Sequence, residues 1–391
     1  MPSLSTPSSQ PAPARGLSRR QFTTWAAGAA VLGAPALRAQ PANRLVLGQS
    51  AAFSGPAAQL GIQFHAGAKL FFDQLNAKGG VNQTLVDIST LDDGYEPDRC
   101  AANTRKLLDD DVFALFGYIG TPTSVAALPL ATQAQTPFFA PFTGAMGLRQ
   151  PFNRMAFHMR ASYNDETALI VKQLTNLGLK KIAVFHQNDA YGKAGLDGVT
   201  LALNAMQLKP VAVATVERNS VDVAQAVSTL NAAKPDAVVQ ISAYTSCAAY
   251  IRAARAAGYG GTFYNVSFVG TQALADALGK EGAGVAVSQV VPTPYSTSRP
   301  ITREFLAAIA QGGSKVQANF SSMEGFMAAK LFAEGMRRAS GRLTRDSLIG
   351  GLESIRDYSI GGFNVSFSPS NHVASKFVEL SMLTGDGRVR T

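Results

Sequence analysis

From Asn43 to Phe268 the chain alternates short apolar runs with amphipathic stretches of helical period, and few architectures tolerate that alternation. "NRLVLGQSAAF" reads as a buried strand. "GIQFHAGAKLFFDQLNAKGG" then sets Gly67, Leu70, Phe71 and Leu75 on one helical face and stops at Gly79 and Gly80. Strand "LVDISTL", helix "DRCAANTRKLLDD", strand "VFALFGYI", helix "SVAALPLATQA" and strand "PFFAPF" follow. After "FHMRAS" a second series begins with helix "DETALIVKQLTNLG" and strand "KIAVFHQ", and runs on to helix "AAYIRAARAAG" and strand "TFYNVSF". Strands separated by helices pair in parallel and are covered by those helices, so two series in tandem predict two parallel sheets wrapped by helices. The region from about 301 to 356 reads as mostly helical, and the tail returns to strands at "FNVSFS" and "KFVELSML".

Open α/β sheets bind ligands beyond the carboxyl ends of their strands. Four such ends carry polar or aromatic residues in place of plain turn formers: "GYIGTPTS", "APFTGA", "HQNDAYG" and "ISAYTS", two from each series. In the first, a strand feeds directly into a helix whose leading N–H groups favour an anion, and Thr121, Thr123 and Ser124 add hydroxyl donors, with Pro122 suited to the first turn. A hydroxyl there can also simply cap the helix. If the two sheets face each other, the four ends meet in a cleft between lobes.

A chain of 391 residues, 46% hydrophobic and 16% charged, can bury a large core and has the length of two domains. Its formal charge of +9 suggests nucleic acid until residues 1–39 are set aside: they hold Arg15, Arg19, Arg20 and Arg38 and no acid. The remaining basic residues are scattered and do not interleave with aromatics, which argues against nucleic-acid binding. The N-terminus accounts for its own charge. "SRRQF" precedes a run of small and apolar residues from Trp25 to Leu37, with Ala39 at a plausible cleavage point, the pattern of a twin-arginine export signal. Those thirteen residues fall short of the roughly 20 a membrane-spanning helix needs. An exported protein beginning near Gln40 is expected.

Cys100 and Cys247 lie in separate helical stretches without metal or redox spacing and read as small buried thiols. His65, His158, His186 and His372 show no paired metal-binding spacing, and no GxSxG or Walker-type loop accompanies "HQNDAYG", so neither a metal, a cofactor nor a catalytic residue is expected. Met323, Met327 and Met336 have the spacing of a helix core face, and Glu324 beside them falls near a hinge rather than among ligand groups.

"AAFSGPAAQLGIQFHAGAKLFFDQLNAKGGV", "DDGYEPDRCAANTRKLL", "FGYIGTPTS", "APFTGA" and "AYGKAGLDG", in that order, resemble the branched-chain amino-acid-binding (leucine/isoleucine/valine) family of periplasmic binding proteins across the whole exported chain. The resemblance implies a type I fold of two Rossmann-like lobes with parallel central sheets, hinge closure around a small solute, and delivery to an ABC permease in the inner membrane. Lobe 1 would span 40–160, completed by about 292–356, and lobe 2 would span 161–291, completed by about 357–391. With Cys100 and Cys247 in different lobes, a disulfide would freeze that motion, so the thiols are expected unpaired.

The family's carboxylate-holding hydroxyl falls on Thr121. The "APFTGA" loop would supply backbone groups at Phe142 and Gly144, with Thr143 beside them; Leu60 would pack over the ligand, and the second lobe would contribute Tyr191 and Tyr244. Two positions depart from the pattern. Ser267 stands where the amino-acid binders place an acidic residue for the ligand's ammonium, and Phe142 and Gly144 replace a small residue and a hydroxyl. An α-ammonium buried with only Ser267 beside it would forfeit about 3–5 kcal/mol, so apolar or aromatic acids are expected to outrank the corresponding amino acids, unless Asp189 swings in as a counter-charge. The expected function is therefore a non-catalytic periplasmic solute-binding protein for a small carboxylate; a ligand sensor for a membrane receptor and a hydrolase using the same cleft are the alternatives.

Replacing Arg19 and Arg20 with lysine should leave precursor in the cytoplasm while hardly changing the stability of the folded domain. Fractionation and immunoblotting check this; undiminished periplasmic yield would rule out the twin-arginine route.

Overall fold

A computed structural model describes residues 2–4, 8, 10, 43–312 and 316–391. Apart from five residues, the export segment expected over 1–39 lies outside the described residues. Among the described residues no helix is long and apolar enough to cross a membrane.

The tandem alternation resolves into two sheets. The first has the order β2-β1-β3-β4-β5 and is parallel throughout, built from β1 (Asn43–Ala51), β2 (Thr84–Asp92), β3 (Ala114–Phe116), β4 (Phe138–Phe139) and β5 (Ala156–Phe157). Helices α1 (Ala58–Ala77), α2 (Pro97–Asp109) and α3 (Thr121–Gln133) connect its strands. The second contains β6 (Ile182–Gln187), β7 (Val213–Val216), β8 (Ala237–Ile241), β9 (Thr262–Asn265) and β10 (Ala286–Gln289), all parallel. Between them run α4 (Tyr163–Asn176), which leads into β6, α5 (Ala190–Asn204), α6 (Ala224–Ala232), α7 (Tyr244–Ala256) and α8 (Thr271–Leu278). Every residue of β6 and β8 is buried, as strands covered on both faces require.

The helical region comprises α9 (Pro300–Gln311), α10 (Phe320–Arg338) and α11 (Arg345–Glu353), with α9 and α10 against α1 and α11 against α10, and so belongs to the first lobe. α10 is buried nearly all round, with Ser321, Ser322 and Glu324 among its buried residues. Phe72, Phe116, Phe139 and Phe332 form a ring cluster beneath it, with centroids 5.3–6.5 Å apart. α1 and α10 approach so closely that a Cβ on Gly67 would run into the Ser322 carbonyl and one on Gly325 into the Phe64 carbonyl. Glycine is required at both places.

The tail, read only as returning to strands, pairs antiparallel. β13 (Glu379–Leu383) joins β10 antiparallel, and β14 (Val389–Arg390) extends that edge. "FNVSFS" forms only the two-residue β12 (Asn364–Val365), paired with β11 (Tyr358–Ser359). Residues up to Ala374 stay with the first lobe: Val373 bridges His158, and the Phe157 and His372 rings stack at 3.7 Å. The return to the second sheet, expected near 357, thus falls between Ala374 and Glu379, because Phe363, Val365 and Phe367 bury themselves in the first lobe's core. Cys100 and Cys247 are free and buried, in α2 and α7.

Gly67→Ala should cost at least about 1–3 kcal/mol in urea unfolding, since the clash is with backbone. Gly350→Ala, at an exposed α11 position with open space around it, should be neutral or gain up to about 1 kcal/mol. Equal midpoints for the two variants would contradict the close crossing.

Candidate binding site

The four strand ends converge. At the first, Gly120 adopts φ 99°, and a Cβ there would enter the Tyr95 ring, so the strand-to-helix turn needs glycine. No side chain caps α3. Thr123 turns back to the Ile119 and Gly120 carbonyls. Thr121 pairs with Thr143 across 2.6 Å, and the Ser124 hydroxyl is buried with no partner among the described residues. Thr121 and Thr143 are thus brought together from two strand ends.

Phe142 is placed differently from expectation. Its N–H donates to Tyr118 and its carbonyl accepts from Gly120, closing the β3 end, so its backbone is committed and its ring is what it offers. That ring lies 5.8 Å from Phe268 and 5.7 Å from Phe64. Gly144 accepts from the Tyr163 N–H and leaves room for the Tyr163 ring, whose Cδ1 would be 2.6 Å from any Cβ. Tyr191 follows the α5 cap, its ring tilted against Tyr163 at 5.4 Å and Phe268 at 4.6 Å. Tyr95 completes the group, 5.7 Å from Phe268. Leu60 is buried against Gly270 of the second lobe. Tyr244 stands apart, half-buried at the start of α7 with its hydroxyl beside the Gln59 backbone.

Ser267 is not alone. Glu166, fully buried in the first turns of α4, accepts from the Ser267 N–H at 2.8 Å, the Ser267 hydroxyl at 3.1 Å and the Ser288 hydroxyl at 2.6 Å. Burial pushes its carboxyl up, opposed by the nearby Arg160 charge and these donors. Asp189 is committed elsewhere: it caps α5 through the Tyr191 and Gly192 N–H groups and binds Gln187 and Arg218. The premise that Ser267 stands without an acid therefore falls, and the acid is Glu166 rather than Asp189.

Arg160, in the segment joining β5 to α4, forms a two-pronged pair with Glu324 of α10, Nε and Nη2 each 2.8 Å from a carboxylate oxygen. Both side chains are buried, and the guanidinium lies 4.1 Å above the Phe142 ring. Burial alone would lower the Arg160 pKa, and the Glu324 carboxylate more than reverses that. Arg149, also buried, donates to the carbonyls of Thr143, Ala145, Arg160 and Ala161, which fixes the loop and the segment together.

The lobes meet across this cluster. Gln187 donates to the Tyr95 hydroxyl at 3.2 Å, Arg218 binds Glu96 at 2.9 Å, and Asn219 binds Glu96 at 2.7 Å and the Gly94 carbonyl at 3.1 Å. The cleft is closed and filled by aromatic rings. Wider cavities of about 780 and 770 Å³ open on the first lobe, one along α1 and one beside Arg44 and Arg342, away from the strand ends. Five residues of the cleft were not singled out as site residues from sequence: Tyr95, Arg160, Tyr163, Glu166 and Phe268. A signal existed for two of them, since Tyr163 and Glu166 share the apolar face of α4 with Ile170 and Leu174, where an acid at an inward position needs a partner.

The sequence profile of the periplasmic binding protein family matches residues 45–387. A "possible leucine/isoleucine/valine-binding protein" from Rhodopirellula baltica is 34% identical and superposes with a TM-score of 0.86 over 90% of this chain and 97% of its own. A substrate-binding periplasmic protein from Ralstonia solanacearum is 32% identical, with a TM-score of 0.83 over 88% of this chain and 99% of its own. Among curated relatives, "Leu/Ile/Val-binding protein homolog 7" of Brucella suis is 24% identical over 324 residues, 78% of this chain and 79% of the relative. With two lobes, a closed cleft and strand ends meeting inside it, the chain belongs to the periplasmic binding protein family, in the type I fold.

Proposed function

We propose that the protein is a periplasmic solute receptor of an ABC importer, which closes its two lobes around a small carboxylate with an apolar or aromatic body and presents it to an inner-membrane permease. The observation that supports this most is the character of the closed cleft. Its walls are the rings of Tyr95, Phe142, Tyr163, Tyr191 and Phe268, and among them the hydroxyls of Ser124, Tyr163 and Tyr191 are buried without partners among the described residues. Apolar walls with a few convergent donors suit a ligand that is mostly hydrocarbon and ends in an acceptor. The receptor acts by binding alone, and a screen of esters and amides is expected to show no turnover.

Glu166 favours a second reading of the same cleft, a hydrophobic amino acid. The buried charges of Arg149, Arg160, Glu166 and Glu324 around the cleft cancel, so a zwitterion adds no net charge to that group whereas a plain acid adds one negative charge. The Rhodopirellula and Brucella relatives, both named for leucine, isoleucine and valine, point the same way.

Calorimetry with leucine, phenylalanine and their deaminated acids, isocaproate and hydrocinnamate, tests both readings. Binding of at least one of the four in the micromolar range or tighter is expected, and no heat from any would defeat the carboxylate assignment. If the amino acids win, Glu166→Gln should weaken them at least about 10-fold while leaving the plain acids within about 3-fold.

A further inference from the structure

A guanidinium has five N–H donors, and in Arg160 only part of that set is used. Nε and Nη2 are taken by Glu324, one face of the plane lies on Phe142, and Nη1 has no partner among the described residues although the side chain is 1% exposed. Leaving charged donors unpartnered in a dry interior is more costly than leaving neutral ones, so the group is poised for an acceptor.

A second observation concerns the same space. Three residues on, the Tyr163 hydroxyl is also buried and unpartnered. The 142–144 loop brings the groups together, with Phe142 under the Arg160 guanidinium, Thr143 bonded to Thr121 and Gly144 against the Tyr163 ring, and the Arg160 charge and both threonine hydroxyls draw down a phenol that burial raises. Those two threonines spend their bond on each other, which leaves Tyr163 beside them without one of good geometry. Cation, phenol and hydroxyl pair thus leave spare donors that an anion with two oxygens, admitted as the rings part, would satisfy at Nη1 on one side and at Tyr163 with Thr121 on the other.

We propose that Arg160 is itself a ligand-binding residue, its Nη1 donating to the ligand's carboxylate alongside the Tyr163 and Thr121 hydroxyls. This rests on the carboxylate reading above and deepens it. The charge of the ligand is read at the segment joining the two lobes, in addition to the start of α3. Neutral isosteres of the carboxylate are rejected, since a carboxamide would present an NH₂ group to donors already in excess.

The test is the affinity ratio between each acid and its carboxamide, using isocaproate, hydrocinnamate, leucine and phenylalanine as probes. Wild type should prefer the acid at least about 100-fold. Arg160→Gln combined with Glu324→Gln removes both charges and so strands neither; it should bring the ratio below about 10-fold. A purely structural role for the pair would weaken acid and amide alike and preserve the ratio, and that result overturns the proposal. Should the double variant fail to fold, wild-type protein with ¹⁵N-labelled arginine side chains gives the second readout: adding an acid should shift and slow the exchange of one guanidinium signal, assigned by its loss in Arg160→Lys, and adding the amide should not. An unmoved signal under saturating acid also overturns it. A wild type that binds acid and amide equally, or binds neither, removes the carboxylate reading itself, so the two failures are distinguishable.

Discussion

The buried pair of Arg160 and Glu324 is the constraint on which the cleft depends. It ties the segment between the lobes to α10, which in turn crosses α1 at glycine distance, and it carries the Phe142 ring on its open face. Removing one partner of such a pair strands a charge in a dry interior at about 3–5 kcal/mol, whereas the intact pair adds little net stability. Its value is therefore positional. Arg149 extends the same logic by gathering four carbonyls of the loop and the segment around one guanidinium, so the side chains at 142–144 and at 163 keep a fixed mutual geometry.

On that frame the cleft sorts its chemistry by lobe. The first lobe contributes threonines at the helix start, backed by the Gly120 turn that only glycine can make. The second contributes Phe268 and Tyr191, and behind them a carboxyl held by two serines and a backbone N–H. Aromatic rings from the two sides meet where Tyr95 and Phe142 lie 5.7 and 5.8 Å from Phe268, distances at which tilted contacts are favourable. The closed cleft therefore joins an apolar surface of the first lobe to one of the second.

Much of the architecture was legible in the sequence because it rests on local periodicity: apolar runs of strand length between amphipathic helices specify two parallel sheets almost without tertiary information. Thr121, Thr143, Phe142, Gly144 and Tyr191 were legible for a related reason, since strand ends in such sheets face the cleft. Glu166 and Arg160 were not. Their partners lie 101 and 164 residues away, so the inward position of Glu166 on α4 announces burial but not what holds it, and Arg160 sits in a loop with no period to announce even that. The committed backbone of Phe142 is likewise a property of pairing with Ile119 and Gly120 that its own neighbourhood in the chain does not announce. In the tail, "KFVELSML" does yield β13, but the stretch before it escaped, because strands of two residues carry no period and the destination of Phe363 to Phe367 is set by which lobe offers them an apolar wall.

The contacts at the rim of the closed cleft are of another kind. Arg218 and Glu96 meet across the lobes with side chains 24% and 41% exposed, and pairs so wetted are worth about 0–1 kcal/mol, less as salt rises. The molecule thus keeps two classes of charge: permanent ones that act as an axle, and exchangeable ones that act as a clasp. If the receptor opens and closes as proposed, the clasp trades protein partners for water at almost no cost, the jaws part and meet without disturbing the axle, and the decision to stay shut is left to the solute held between the rings.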